Sequence, residues 1–309
     1  MTVRMPLGTP IRRLAAAVFG LALLAAAGAP AAAKAPPRAP GPVLVYVWHQ
    51  VAPPGWPLTH GPDTITPAQF AQECAWIQSH HVRTLTAGEF LAYIQGRYRP
   101  VGLKLYLTFD NGLEGVYRYA FPILRRYGVH ATVFIIADRT TRDHAGGRDL
   151  AYLTWPQIHQ MLRSQLVDIQ AEASGLHGTI RVAGRPEPLV FLSPGESPAG
   201  YARRLAADFA AQRQTFIDHL HYAPRLLVWP FSAWTPTAEA VGRASGIEVF
   251  FRVGLGFAQP GQVDAVPRNS ASFGWQNLGL SVVRMLRGLR DGSFDHSLHY
   301  YWGDPAVSS

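Results

Sequence analysis

With a single cysteine, Cys74, in 309 residues, the chain has no internal disulfide framework, which excludes the small stapled class of exported domain. Cys74 sits at helical spacing with Phe70 and Ile77, the pattern of a buried inert thiol rather than a nucleophile. Charge is also scarce: only 16% of residues are Asp, Glu, Lys or Arg, so long disordered acidic or basic tracts are excluded. No Lys/Arg run and no nucleic-acid motif occurs, and no nucleic-acid partner is expected. Internal repeats are lacking too. The longest apolar run, Leu14 to about Ala27, is shorter than the roughly 20 residues of a membrane-spanning helix. Arg4, Arg12 and Arg13 precede it and Ala31-Ala32-Ala33 follow it, the order of a secretory signal peptide over residues 1–33. The expected mature protein is therefore exported, to the periplasm or beyond the cell, with no membrane span after cleavage. Residues 1–33 hold three arginines and no acid, so their removal takes the formal charge from +8 to +5.

What is present is apolar and regularly punctuated. Hydrophobic residues make up 48% of the chain, enough for one large core. Residues 34–42, KAPPRAPGP, read as a Pro-rich linker, residues 43–290 as one domain, and residues 291–309 as a tail without period. Short apolar runs at Val43–Val47, Lys104–Phe109, Ala131–Ile136, Leu166–Ala171, Arg225–Trp229 and Glu248–Val253 predict buried strands. Between them lie helix starts: Thr66-Pro67-Ala68-Gln69, Thr86-Ala87-Gly88-Glu89 and Thr154-Trp155-Pro156-Gln157 each place a capping threonine three residues before Gln or Glu. Gly128 ends a helix that carries Phe121, Leu124 and Tyr127. A long helix fits Tyr201–His219, another starts at Thr235-Pro236, and residues 178–200 read as loop. Strands of about five residues alternating with helices indicate parallel βα units around a sheet or barrel.

Three strand ends carry chemistry. Leu107-Thr108-Phe109-Asp110-Asn111-Gly112 sets an acid and an amide at the end of a buried strand, where a βα barrel builds its active site. Asp110 could equally cap the helix that follows. After the strand Leu166–Ala171, Glu172 and His177 offer a carboxylate and an imidazole, borderline-metal ligands to which Asn111 could add a carbonyl oxygen. Val228-Trp229-Pro230-Phe231-Ser232 ends a third strand with rings that could wall a pocket or simply fill the core. Trp48 and His49, after the first strand, have the same ambiguity. His296 and His299 lie in the tail, and no general acid is assigned.

The order of these segments resembles the NodB-type polysaccharide deacetylases, carbohydrate esterase family four. The likeness rests on Thr108-Phe109-Asp110-Asn111-Gly112, on Phe121-Pro122-Ile123-Leu124 through Tyr127-Gly128, and on Ala131-Thr132-Val133-Phe134. It extends over roughly residues 43–270, nearest to the deacetylase domain of poly-β-1,6-N-acetylglucosamine N-deacetylases, whose metal histidines are spaced as Glu172 and His177 are. The resemblance implies a distorted (β/α) barrel, a catalytic base at Asp110 and metal positions at Asn111, Glu172 and His177. It also implies substrate contacts near Trp229, Phe231 and Arg268, with His49 added as a substrate-binding candidate. The implied cofactor is a divalent ion (Zn, Ni, Co or Mn), and the implied partner is an N-acetylated amino-sugar polymer.

Two metal positions depart from the family, which has aspartate where Asn111 stands and histidine where Glu172 stands. Asn/Glu/His carries the same single negative charge as Asp/His/His, so a divalent ion keeps its charge balance while the site becomes harder. The leading expectation is an exported, metal-assisted carbohydrate N-deacetylase. The first alternative is a sugar-binding or accessory protein that has lost turnover. The second is a barrel glycosidase with Asp110 and Glu172 as its acid pair, which requires a carboxyl separation of about 5 Å or roughly 6.5–9.5 Å.

Overall fold

A computed structural model of the protein describes residues 41–54, 64–140, 152–270 and 278–291. The expected signal peptide, most of the linker and the tail with His296 and His299 lie outside these residues. In chain order the first half gives β1 (Val43–Trp48), β2 (Gln50–Val51), β3 (Thr64–Ile65), α1 (Pro67–Ser79), β4 (Arg83–Thr84), α2 (Ala87–Ile94), β5 (Lys104–Phe109), α3 (Phe121–Tyr127) and β6 (Ala131–Ile136). The second half gives α4 (Trp155–Arg163), β7 (Val167–Glu172), β8 (Thr179–Val182), β9 (Arg185–Pro188), α5 (Pro198–Leu220), β10 (Leu226–Val228), α6 (Pro236–Ala244), β11 (Val249–Val253), β12 (Val266–Ser270) and α7 (Leu278–Asp291).

Helix starts are written locally. Thr66, Thr86 and Thr154 each accept from the backbone N–H three residues on, and Gln69, Glu89 and Gln157 reach back to the cap. Gly128 closes α3 with a left-handed φ of 64°. Among the described residues no helix is long and apolar enough to cross a membrane.

Seven strands run in the order β1-β12-β11-β10-β7-β6-β5, all parallel, and the β1–β5 pairing closes them into a barrel. β4 adds beside the first half of β5. The helices return the chain between parallel strands, as the alternation predicts. The short strands β2, β3 and β4 and the helix α7 were not predicted, nor were β12 and the β8–β9 hairpin. β12, Val-Pro-Arg-Asn-Ser, has one strongly apolar residue and a proline, yet it completes the barrel. Part of the segment read as loop is the antiparallel hairpin β8–β9.

The pleat sorts the side chains. Val43, Val45, Tyr106, Phe134, Val228, Val249, Phe251 and Val266 share one cluster with Phe90, Leu91, Tyr93 and Ile94 of α2. Their strand neighbours Leu44, Tyr46, Leu107, Phe109, Val133, Ile135, Leu227 and Phe250 pack with the outer helices instead. The first set is the barrel interior, and α2 plugs its N-terminal end. Phe90 stacks on Tyr106 with ring centroids 4.1 Å apart, and Asp168 near the start of β7 accepts the Ala87 N–H at 2.8 Å. Cys74 is buried, and burial pushes its thiol well above the ordinary range, as expected of an inert cysteine.

Candidate active site

The same parity decides what faces the open, C-terminal end of the barrel. Counting inward positions along each strand, Tyr106 and Thr108 lead to Asp110, Gln170 leads to Glu172, and Val266 leads to Arg268. Charged groups thus replace apolar ones in the last interior layer. Asp110 and Glu172 are 4% and 3% exposed, and Arg268 only 1%. Buried charges persist only when paired, and here they are.

Asp110 and Arg268 form a bidentate pair. Nη1 donates to Oδ1, and Nη2 donates to Oδ2 at 2.7 Å. The carboxylate oxygens thus go to Arg268, not to a helix cap. Arg268 also lies 5.9 Å from the centre of the Phe134 ring. Both terminal nitrogens of Arg268, expected near substrate, are thus engaged by Asp110.

Asn111, Glu172 and His177 make a second cluster. The Asn111 backbone N–H donates to Glu172 Oε2 at 2.6 Å, and its Nδ2 donates to Glu172 Oε1 at 3.1 Å. Nδ2 is also 3.0 Å from His177 Nε2, which is itself 3.1 Å from Glu172 Oε1. Three side-chain atoms from two strand ends and one loop therefore form a nearly equilateral triangle. The turn that presents Asn111 is strained: its φ is 64°, a conformation Asn tolerates better than most non-glycine residues. Gly112 follows at φ 65°, where an added Cβ would lie 2.8 Å from Ile135 Cγ2, so only glycine fits. His177 sits in the single turn Gly175–His177 after β7.

The donor set suits a divalent cation. A carboxylate oxygen and an imidazole nitrogen lie 3.1 Å apart; the amide atom facing both is Nδ2, a donor, while Asn111 Oδ1, the atom able to ligate, is buried without a hydrogen-bond partner. Among the described residues no three His, Cys, Asp or Glu side chains meet in this way; the third member is the amide. The carboxylates of the pair proposed for a glycosidase are committed elsewhere, Asp110 to Arg268 and Glu172 to Asn111.

Around these residues the rim is partly aromatic. Phe231 is 38% exposed, has a left-handed φ of 55°, and its ring lies 5.0 Å from that of His177. Trp229, expected to border a substrate groove, is buried. By parity it faces the helices, and its 2% exposed ring stacks on Phe250 at 5.3 Å. His49 follows β1 directly; the Asp110 N–H bonds the Trp48 carbonyl at 3.0 Å, so His49 and Asp110 are neighbours across the β1–β5 pair.

Comparison with known proteins agrees with the fold. The family model described as polysaccharide deacetylase matches residues 100–250. Residues 100–250 thus resemble a polysaccharide deacetylase domain. The poly-beta-1,6-N-acetyl-D-glucosamine N-deacetylase of Escherichia coli K12 is 24% identical over 216 residues, 64% of this chain and 32% of the relative. That of Staphylococcus aureus MSSA476 is 27% identical over 114 residues, 37% of this chain and 38% of the relative. The matched regions thus span about a third of the length of these curated relatives. The solved structure of IcaB from Ammonifex degensii is 26% identical, with a TM-score of 0.66 over 79% of this chain and 97% of that one. A de-N-acetylase from Aggregatibacter actinomycetemcomitans shares the fold at 22% identity and a TM-score of 0.64, covering 73% of this chain and 93% of the other. The barrel is therefore of the distorted (β/α) type expected from the motif order. His49 and Arg268 fall outside the matched segment, and the closed barrel brings their strands to Asp110.

Sequence reasoning missed the Asp110–Arg268 pairing. Val266 and Arg268 two apart were the available signal, but Pro267 hid the strand.

Proposed function

We propose that the protein is an exported, metal-assisted hydrolase that removes N-acetyl groups from an amino-sugar polysaccharide of the poly-β-1,6-N-acetylglucosamine kind. The observation that carries this reading is the juxtaposition, at one barrel mouth, of a fixed carboxylate and an Asn111/Glu172/His177 donor set. Their named relatives act on that polymer, and the signal-like N-terminus supports export.

In this reading Asp110 is the general base. Arg268 fixes the plane of its carboxylate and balances its charge, so the group needs no reorganisation when a water proton arrives. Asn111, Glu172 and His177 would hold the divalent ion, which when bound polarises an acetamide carbonyl and acidifies water. Attack of water on the carbonyl carbon and cleavage of the C–N bond yield acetate and a free amine, and the departing nitrogen must gain a proton. His49, which follows β1 beside Asp110 in the β1–β5 pairing, is the group we assign to supply it. Phe231 offers the sugar ring an apolar face beside His177.

The test is acetate release from N-acetylated β-1,6-glucosamine oligomers by protein loaded in turn with Zn, Ni, Co and Mn. Turnover that chelator abolishes is expected; none with any ion, from a folded protein, overturns the reading. A second reading rests on one contact. The Asn111 amide already donates to Glu172, which would also suit a sugar-binding protein without turnover. Oligosaccharide affinity indifferent to chelator, with no acetate released, is its signature.

A further inference from the structure

Glu172 ends β7 and His177 closes the turn after it, so their separation depends on the four residues between them. One helix holds the Glu172 end of that span and the start of the turn that leads to His177. Gln212 of α5, only 2% exposed, donates Nε2 to the Glu172 carbonyl at 2.6 Å. Asp208, four residues earlier and therefore on the same face of α5, accepts the Gly175 N–H on Oδ1 at 2.6 Å. The nearby Ser174 and Leu176 N–H groups also favour the charged form of the Asp208 carboxylate. A carboxylate facing successive N–H groups at the start of a single turn does what an N-cap does, but from a distant helix. The approach is close: a Cβ on Gly175 would lie 2.9 Å from Asp208 Oδ1. Such a placement is costly to maintain. Burial, with Asp138 nearby, pushes the Asp208 carboxyl up to about 6 despite those N–H donors.

We infer that Asp208 and Gln212 are positioning residues, a two-point clamp on α5 that sets the Glu172-to-His177 spacing for the divalent ion. The inference rests on the proposed function for its purpose, but not for its geometry. Neither residue touches the reacting atoms. Ligand-orienting groups of this kind typically change metal affinity by about 10–100-fold when removed.

The experiment compares the full chain with Asp208→Ala, Asp208→Asn and Gln212→Leu, each first checked for folding by thermal melting. Two readouts are taken. In metal-free protein, the His177 ring signals in NMR are expected to shift and broaden in Asp208→Ala and to return to the wild-type position in Asp208→Asn, whose amide oxygen still accepts the Gly175 N–H. In a titration with Co2+ alone, Asp208→Ala and Gln212→Leu are expected to bind about tenfold or more weakly, with an altered visible spectrum, and Asp208→Asn to bind within a few-fold of wild type. A folded Asp208→Ala with unchanged His177 signals and unchanged Co2+ affinity overturns the clamp. Wild-type protein that binds no Co2+ overturns the metal reading, and the NMR comparison then decides the clamp alone.

Discussion

The two ends of one barrel use the same strands and the same pleat to opposite ends. At the N-terminal end the interior is closed by α2, with Phe90 stacked on Tyr106 and packed against Phe251. Polar groups there serve the backbone: Asp168 accepts the Ala87 N–H, and Gln170 accepts from Arg225 and Leu226. At the C-terminal end the interior positions carry Asp110, Glu172 and Arg268, whose side chains bind one another and the amide of Asn111. Left-handed φ values at Asn111, Phe231 and Ser232 gather there as well. The closed end spends its residues on burial, and the open end holds buried charge and strain, which only a scaffold fixed elsewhere can maintain.

Substitutions at the two ends should therefore separate activity from stability. The largest effect is expected from Asp110→Asn at the open end, a loss of about 10²–10⁴-fold in acetate release with the fold retained in circular dichroism. Phe90→Ala at the closed end should do the reverse, costing about 3–5 kcal/mol in denaturant unfolding while turnover per folded molecule stays at the wild-type value. Loss of turnover in folded Phe90→Ala would break the division between the ends.

A smaller effect concerns pH. Burial raises the Asp168 carboxyl above its ordinary value of 3.8, so the folded state favours the protonated form. Between the unfolded value and the raised folded one the native protein binds more protons, and stability falls as pH rises through that window. Asp168→Asn keeps an acceptor for the Ala87 N–H and should remove this part of the fall, with melting temperatures compared on both sides of pH 4 and activity unchanged. The smallest effect is expected from Phe231→Ala, a rise of a few-fold in KM for oligosaccharide with kcat preserved. A fall in kcat instead would show that the ring supports His177 rather than sugar.

Much of the fold was legible because local signals were strong. The three capping boxes and the αL glycine at 128 mark helix boundaries independently of tertiary context. Six of the barrel strands announced themselves as apolar runs, whereas β12 did not, because Arg268 and Asn269 owe their burial to partners distant in sequence, Asp110 and the Val45 carbonyl. At the site, strand-end position pointed to Asp110, Glu172 and His177, but parity was needed to tell Arg268 from Trp229. The strand alternation that turns Arg268 inward turns Trp229 outward onto Phe250. Asp208 and Gln212 were invisible, since a helix surface pattern does not say which carbonyl or N–H its polar residues will meet.

The central claim is that the open end holds a divalent ion on a ligand set altered in identity but not in charge. Metal analysis of the purified protein, with Glu172→Gln and His177→Ala alongside, tests it most directly. The account predicts about one divalent ion per wild-type chain, consistent with a three-ligand site, and little in either variant. A folded wild-type protein that carries none, and takes up none on reconstitution, would contradict it.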